Sequence, residues 1–106
     1  MIQRLVDVLR PLASDPETQL AHHPRILQRG VVSGDLADAL LLVDSCQQER
    51  LEPAQRETLD ALDAHLERLS SAPAEQWTVG ALRGDPQWDR VRRLAGAALR
   101  SLGLTI

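Results

Sequence analysis

The sequence has no phenylalanine and no tyrosine, so its core must be built from leucine, valine and alanine around two tryptophans. It also has no lysine and no asparagine, and arginine supplies all twelve basic side chains. Codon bias in a GC-rich bacterial genome explains such a composition. The arginine content is therefore weak evidence for phosphate binding.

Cysteine and long apolar runs are also scarce. The single cysteine, Cys46, excludes an internal disulfide framework and fits a reducing compartment. Arg4, Asp7 and Arg10 interrupt the N-terminal stretch, which therefore lacks the apolar segment of a secretion signal. The most apolar stretch is also shorter than the about 20 residues that a membrane-spanning helix needs. We therefore expect a cytoplasmic protein that does not span a membrane.

Leucine and alanine dominate the apolar residues, whereas the β-branched valine and isoleucine are few, and this balance favours helix over strand. At 106 residues the chain has the length of one domain. The sequence therefore predicts a single helical domain over residues 1–106. Its expected architecture is an all-α, compact, bundle-like or orthogonal array of five to six helices.

The stretch Leu36–Cys46, LADALLLVDSC, is the most apolar run in the chain. Its apolar side chains occupy nearly the whole helix circumference, which is typical of a helix covered on several sides. We therefore predict a buried central helix over about residues 34–50. Asp44 falls within the apolar arc of this helix, so the sequence predicts a carboxylate that pairs with an arginine or makes a helix-end contact. A functional carboxylate with a perturbed pKa, or simple exposure at a partly open face, would also fit the pattern.

Proline marks the expected starts of the other helices, because its fixed φ suits the first helical turn. Pro11 should end or kink the first helix near Arg10. Val31 and Val32 lie between glycines and are expected to form an extended segment. The remaining predicted helical stretches are a short helix that opens at Pro16 and ends before Pro24, a short turn at 24–29, a helix from 53 or 54 to about 69, and helices at 73–83 and 86–102, with Leu59, Leu62, Leu66 and Leu69 as one apolar stripe.

The sequence has no metal-binding or catalytic motif. His22 and His23 are adjacent and point about 100° apart on a helix, and no spacing typical of zinc ligands occurs. His65 borders the leucine stripe and is expected to be a partly buried structural residue. Cys46 lies late in its helix, away from a helix N-terminus that would lower a thiol pKa, and is expected to be a buried cysteine that packs as a small apolar residue. We therefore expect no metal and no cofactor, and an enzyme using Asp44, Cys46 or a histidine is the least supported hypothesis.

Charge is unevenly distributed along the chain. Residues 1–82 contain 13 acids and 7 arginines, whereas residues 83–106 contain 5 arginines and 2 aspartates. The last helix carries Arg90, Arg92, Arg93 and Arg100, with Asp89 placed to pair with Arg93. These four arginines are the predicted partner-binding residues, although a solvated polar face explains the same pattern.

The main functional hypothesis is a non-enzymatic protein–protein interaction module, of the adaptor, inhibitor or immunity type, that uses charged helix faces. The alternative is a DNA-associated regulator in which residues 73–102 form a helix-turn-helix-like pair around Gly84. The net charge of −3 and the lack of interleaved aromatic residues argue against nucleic acid. A homodimer through the first helix or the apolar end Leu104–Ile106 is left open.

Overall fold

The computed structural model describes residues 2–23, 25–28, 30–45 and 51–103, without the side chains of Ile2 and residues 42–45. This part of the chain is all-α, as predicted, and contains no strand. A 3₁₀ turn at Ala74–Trp77 precedes α5. The six α-helices are α1 (Ile2–Ala13), α2 (Pro16–His22), α3 (Val31–Ser45), α4 (Pro53–Ser70), α5 (Val79–Gly84) and α6 (Pro86–Ser101).

Helix α6 occupies the centre of the fold. Its most extensive packing contacts are with α1 on one side and α4 on the other, and α5 also packs against it. Trp88 anchors its first turn in the core with no exposed surface. Further along, α6 presents mainly small side chains to its neighbours, which allows helices to approach closely. Its other buried residues are Val91, Ala95, Gly96, Ala98 and Leu99.

The sequence predicted that the helix now labelled α3 would lie at the centre of the fold, but α6 lies there instead. Its described part buries one face, on which Leu36 and Leu40 pack towards α1 and α4. Leu41, in contrast, is 66% exposed. The helix also begins at Val31, so the expected extended segment at Val31 and Val32 was wrong, and Val32 is buried in the first helical turn.

The proline and cap signals locate several helix starts correctly. Asp15 accepts a hydrogen bond from the Thr18 amide at α2, and Asp85 accepts one from the Gln87 amide at α6. A proline occupies the first turn of each of these helices, as it does in α4.

Three predicted boundaries differ from the structure. Helix α1 continues through Pro11 to Ala13 instead of ending near Arg10. Residues 25–28 form turns, in which backbone N–H groups bond the carbonyl three residues earlier, rather than an α-helix. The stretch 73–83 is divided at Thr78, whose hydroxyl accepts a hydrogen bond from the Ala81 amide and so starts α5 as a separate helix.

A buried polar network joins four helices beneath α6. Gln19 is 1% exposed, and its Nε2 donates to the carbonyl oxygens of Pro11 and Leu12 at 3.1 and 3.0 Å. These carbonyls belong to the last turn of α1, where no intrahelical donor remains. Arg92 Nη1 donates to Gln19 Oε1 at 3.2 Å and to the Leu82 carbonyl at 3.0 Å. Gln19 therefore caps α1 and connects it through Arg92 to α5 and α6.

Candidate functional site

The four predicted arginines of α6 divide into two groups. Arg92 turns towards the protein and forms the two hydrogen bonds described above. Burial lowers the pKa of Arg92, against the opposing attraction of Asp89 and Asp15, but a guanidinium stays charged at neutral pH. Its hydrogen bonds connect α6 to α2 and α5, so the Arg92 side chain is engaged within the protein and is less available to a partner than the other three arginines.

The other three arginines lie on the exposed side of α6. Arg93 Nε contacts Asp89 Oδ2 at 3.2 Å, four residues earlier on the helix. Arg90 and Arg100 are exposed and form no ion pair with any residue that the structure describes. At 100° per residue, Arg93 and Arg100 lie within about 20° of each other and Arg90 lies about 60–80° away. Together Arg90, Arg93 and Arg100 form a surface that we call the arginine face.

The two helices of the pair proposed for DNA binding are present, but the first of them is short. Helix α5 has only 6 residues, whereas α6 has 16. Trp88 packs into the core, as that hypothesis expects, and Gln87, Asp89 and Arg90 are exposed near the start of α6. An acid, Asp89, therefore lies beside the arginines on the surface that would approach the phosphates.

Several residues named from the sequence lie outside the described part of the chain. These are the side chain of Asp44, the residue Cys46 and the apolar end Leu104–Ile106. The predicted pairing of Asp44, the role of Cys46 and the docking of the chain end therefore stay predictions. Among the described residues, no group of three histidine, cysteine or acidic side chains is arranged to hold a metal ion.

His65 is buried, as its position beside the leucine stripe suggested, with 4% of its surface exposed. Its Nε2 donates to the Gln87 carbonyl oxygen at 3.0 Å, which connects α4 to the first turn of α6. The same two residues line a surface cavity of about 360 Å³. The two other polar side chains in its wall are Arg68 and Gln76.

This cavity could not be found from sequence spacing, because its residues come from three elements. His65 and Arg68 belong to α4, Gln76 to the 3₁₀ turn and Gln87 to α6. The only local signal was His65, a titratable residue at the border of an apolar stripe. The 3₁₀ turn contacts both helices, because Trp77 Nε1 donates to the Leu69 carbonyl of α4 and Trp88 Nε1 of α6 donates to the Gln76 carbonyl, and residues of all three elements line the cavity.

The outer surface of α4 carries a group of acids. Burial, and then repulsion by Glu67 and Asp60, raise the pKa of Asp63 above its ordinary value of 3.8, while Arg56 lowers it. Arg56 Nε bonds Asp60 Oδ1 at 2.9 Å, which partly neutralises this surface. The acids of α4 therefore repel one another weakly, and this arrangement gives no sign of a bound ligand.

No protein-family model, no curated protein and no solved structure matches this chain. None of the helices in the described ranges is both long enough and apolar enough to cross a membrane. The functional argument therefore depends on the geometry of the arginine face and of the cavity.

Proposed function

We propose that this protein is a non-enzymatic cytoplasmic binding protein that recognises an acidic surface of another protein through Arg90, Arg93 and Arg100. One observation carries this proposal. Helix α6 is fixed by the core along one side, while these three guanidinium groups lie outside the packing. Arginines on a rigid helix lose less conformational freedom on binding than arginines on a loop.

The chemistry of arginine supports this choice of partner. A guanidinium binds a carboxylate through two parallel N–H···O bonds, and arginine is enriched among the residues that dominate protein interfaces. The existing pair of Arg93 with Asp89 is exposed, and such pairs contribute only about 0–1 kcal/mol. A partner carboxylate can therefore replace Asp89 at little cost.

Nucleic acid is the second candidate, favoured only by the exposed Arg90 at the start of α6. The exposed Asp89 would repel phosphates, and the net charge of the chain is −3. The short α5 also gives little surface for the helix that would cross the DNA backbone. An acidic protein accounts better for a small group of arginines on a chain that is acidic as a whole.

The test uses two variants with the same change in net charge. Arg90→Glu with Arg100→Glu alters the arginine face, whereas Arg4→Glu with Arg10→Glu alters exposed positions on α1. The tagged wild-type protein and both variants are used to capture partners from the native cytosol, with and without nuclease. Any captured protein is then purified, and its affinity for each variant is measured at several salt concentrations.

We expect a nuclease-resistant protein that binds the α1 variant like wild type and the α6 variant at least about tenfold more weakly, since lost charged contacts typically cost that much. Equal binding by the two variants, or no captured protein, would reject the proposal. Capture that disappears with nuclease and with the α6 variant would instead assign the arginine face to nucleic acid.

A further inference from the structure

The cavity beside His65 has the size and composition of a small-molecule site. Its volume of about 360 Å³ lies within the range of about 300–1,000 Å³ that is usual for ligand pockets. Leu69, Ala72 and Pro73 form its apolar wall. Apolar surface with a few fixed polar groups is the combination that holds and orients a small ligand.

The charged side chain of this cavity is basic. Arg68 is exposed and forms no ion pair within the described part of the chain. None of the residues that line the cavity is an aspartate or glutamate. A ligand carboxylate would therefore meet the planar donors of a guanidinium without competition from an acid in the wall.

Two residues of the wall, Gln76 and His65, also carry acceptor atoms. Gln76 Oε1 is buried and receives no hydrogen bond from the described residues, which is rare for a buried polar atom. His65 uses Nε2 to donate to the Gln87 carbonyl, so in the neutral ring Nδ1 is left as an acceptor. A ligand that suits these groups must carry a hydrogen-bond donor as well as its anionic group.

We propose that this cavity binds a small aliphatic carboxylate that also carries an N–H donor. The carboxylate would bind Arg68, the aliphatic group would pack on Leu69, Ala72 and Pro73, and the N–H would donate to Gln76 Oε1 after the side-chain amide of Gln76 rotates towards the cavity. An N-acylated aliphatic amino acid combines these three features, and the carboxyl-terminal residue of a peptide has the same chemistry. None of the residues of the arginine face lines the cavity, so this site is independent of the proposed protein partner.

The two tryptophans provide a direct reporter for this cavity. Trp77 Nε1 donates to the Leu69 carbonyl at 3.0 Å, and Trp88 Nε1 donates to the Gln76 carbonyl at 2.6 Å. Their rings contact edge to face with centroids 5.4 Å apart. Both indoles thus bond residues that line the cavity, and no tyrosine contributes to the emission of this chain. Intrinsic fluorescence should respond to a ligand there.

The experiment titrates the whole chain with N-acetyl-L-leucine and, separately, with N-acetyl-L-leucine amide, which lacks the carboxylate. We expect a saturable fluorescence change with the acid and at least about tenfold weaker binding of the amide, the usual effect of losing one charge-assisted hydrogen bond. Arg68→Gln should remove this preference, whereas Arg100→Gln on α6 should retain it. Circular dichroism confirms that both variants fold.

Gln76→Met tests the second contact, because it keeps the length of the side chain and removes the acceptor. It should weaken the acid and the amide by the same factor. The proposal is rejected if neither ligand saturates, if the wild type binds acid and amide equally, or if Arg68→Gln leaves the preference unchanged. These results do not depend on any protein partner, so they separate this site from the arginine face.

A final comparison identifies the source of the carboxylate. An acetylated peptide ending in leucine is titrated beside N-acetyl-L-leucine. Peptide binding that is at least about tenfold tighter would show that residues before the last one also contribute, and would assign the site to the end of a protein chain. Equal affinities would assign it to a free small molecule.

Discussion

Helices α3 and α6 show that the most apolar helix of a fold need not be its central helix. Helix α3 contains the most apolar stretch of the sequence, yet its described part buries one face and leaves Leu41 exposed. Helix α6 contains five charged residues but occupies the centre between α1 and α4. Its small buried residues Ala95, Gly96 and Ala98 allow two neighbours to approach it. In this fold, the helix with a narrow face of small side chains lies at the centre, and the helix with the highest total hydrophobicity does not.

The largest effect should come from the anchor of α6. Trp88→Ala removes a side chain with no exposed surface, together with its contact to Trp77 and its hydrogen bond to the Gln76 carbonyl. We expect the free energy of unfolding to fall by about 3–5 kcal/mol. Urea unfolding followed by circular dichroism measures this. Trp88→Phe keeps an aromatic ring and should cost clearly less, and equal stability of the alanine variant and wild type would contradict a central α6.

A matched pair of leucines tests the one-sided burial of α3. Leu36→Ala should lower the free energy of unfolding by about 2–5 kcal/mol, because Leu36 is completely buried. Leu41→Ala should change it by no more than about 0.5 kcal/mol, because that side chain is mostly in solvent. Thermal unfolding of the two variants gives the comparison. Equal losses would mean that α3 is covered on both faces and that its contrast with α6 fails.

The polar network beneath α6 should have an intermediate effect. Gln19→Leu leaves the Leu12 carbonyl and one donor of Arg92 without their partner, while the Pro11 carbonyl keeps only the Ser14 amide, and we expect a loss of about 1–3 kcal/mol in unfolding free energy. Arg92→Leu should be similar. In the double variant the two losses should not add, with a coupling of about 0.5–3 kcal/mol. Strictly additive losses would show that the two side chains stabilise the protein separately.

The smallest effect concerns α4, which packs against both α3 and α6. Asp63 has a raised pKa, so it binds its proton more tightly in the folded protein, and stability should fall as the pH rises through that pKa. Asp63→Asn should therefore stabilise the protein by about 0.2–0.5 kcal/mol at neutral pH. The gain should disappear below the ordinary pKa of 3.8, where the carboxyl is protonated in both states. Thermal unfolding across this pH range is the measurement, and a gain that persists in acid would exclude the charge effect.

Local signals predicted the helices well. The leucine stripe of α4 is buried as expected, and the Asp-Pro pairs begin α2 and α6 where the sequence placed them. These features depend on residues a few positions apart, whose geometry a helix fixes. Pro11 was misjudged because α1 continues only two residues beyond it, and this short extension is held by Gln19, eight residues later, which donates to the Pro11 and Leu12 carbonyls.

Long-range features were harder to predict. Three of the four arginines named on α6 are exposed, but Arg92 is turned inwards by Gln19 and by the Leu82 carbonyl. No periodicity within α6 contains that information, because the partners come from α2 and α5. The cavity beside His65 was missed for the same reason. Its composition depends on the packing of three segments, and sequence spacing describes only one segment at a time.

The packing of α1 against α6 has a consequence for synthesis on the ribosome. Helix α6 is translated after all the helices that it holds together, and its contact with α1 joins the most distant helices of the bundle. The face of α1 that packs on α6 therefore has no permanent cover until α6 has emerged, whereas α2 and α3 can already pack on the rest of this helix, whose buried leucines are Leu5, Leu9 and Leu12. At about 5–20 residues per second, the nascent chain exposes this leucine surface for several seconds. Chaperones that recognise exposed leucine are accordingly expected to contact α1 during translation and to leave once α6 is in place.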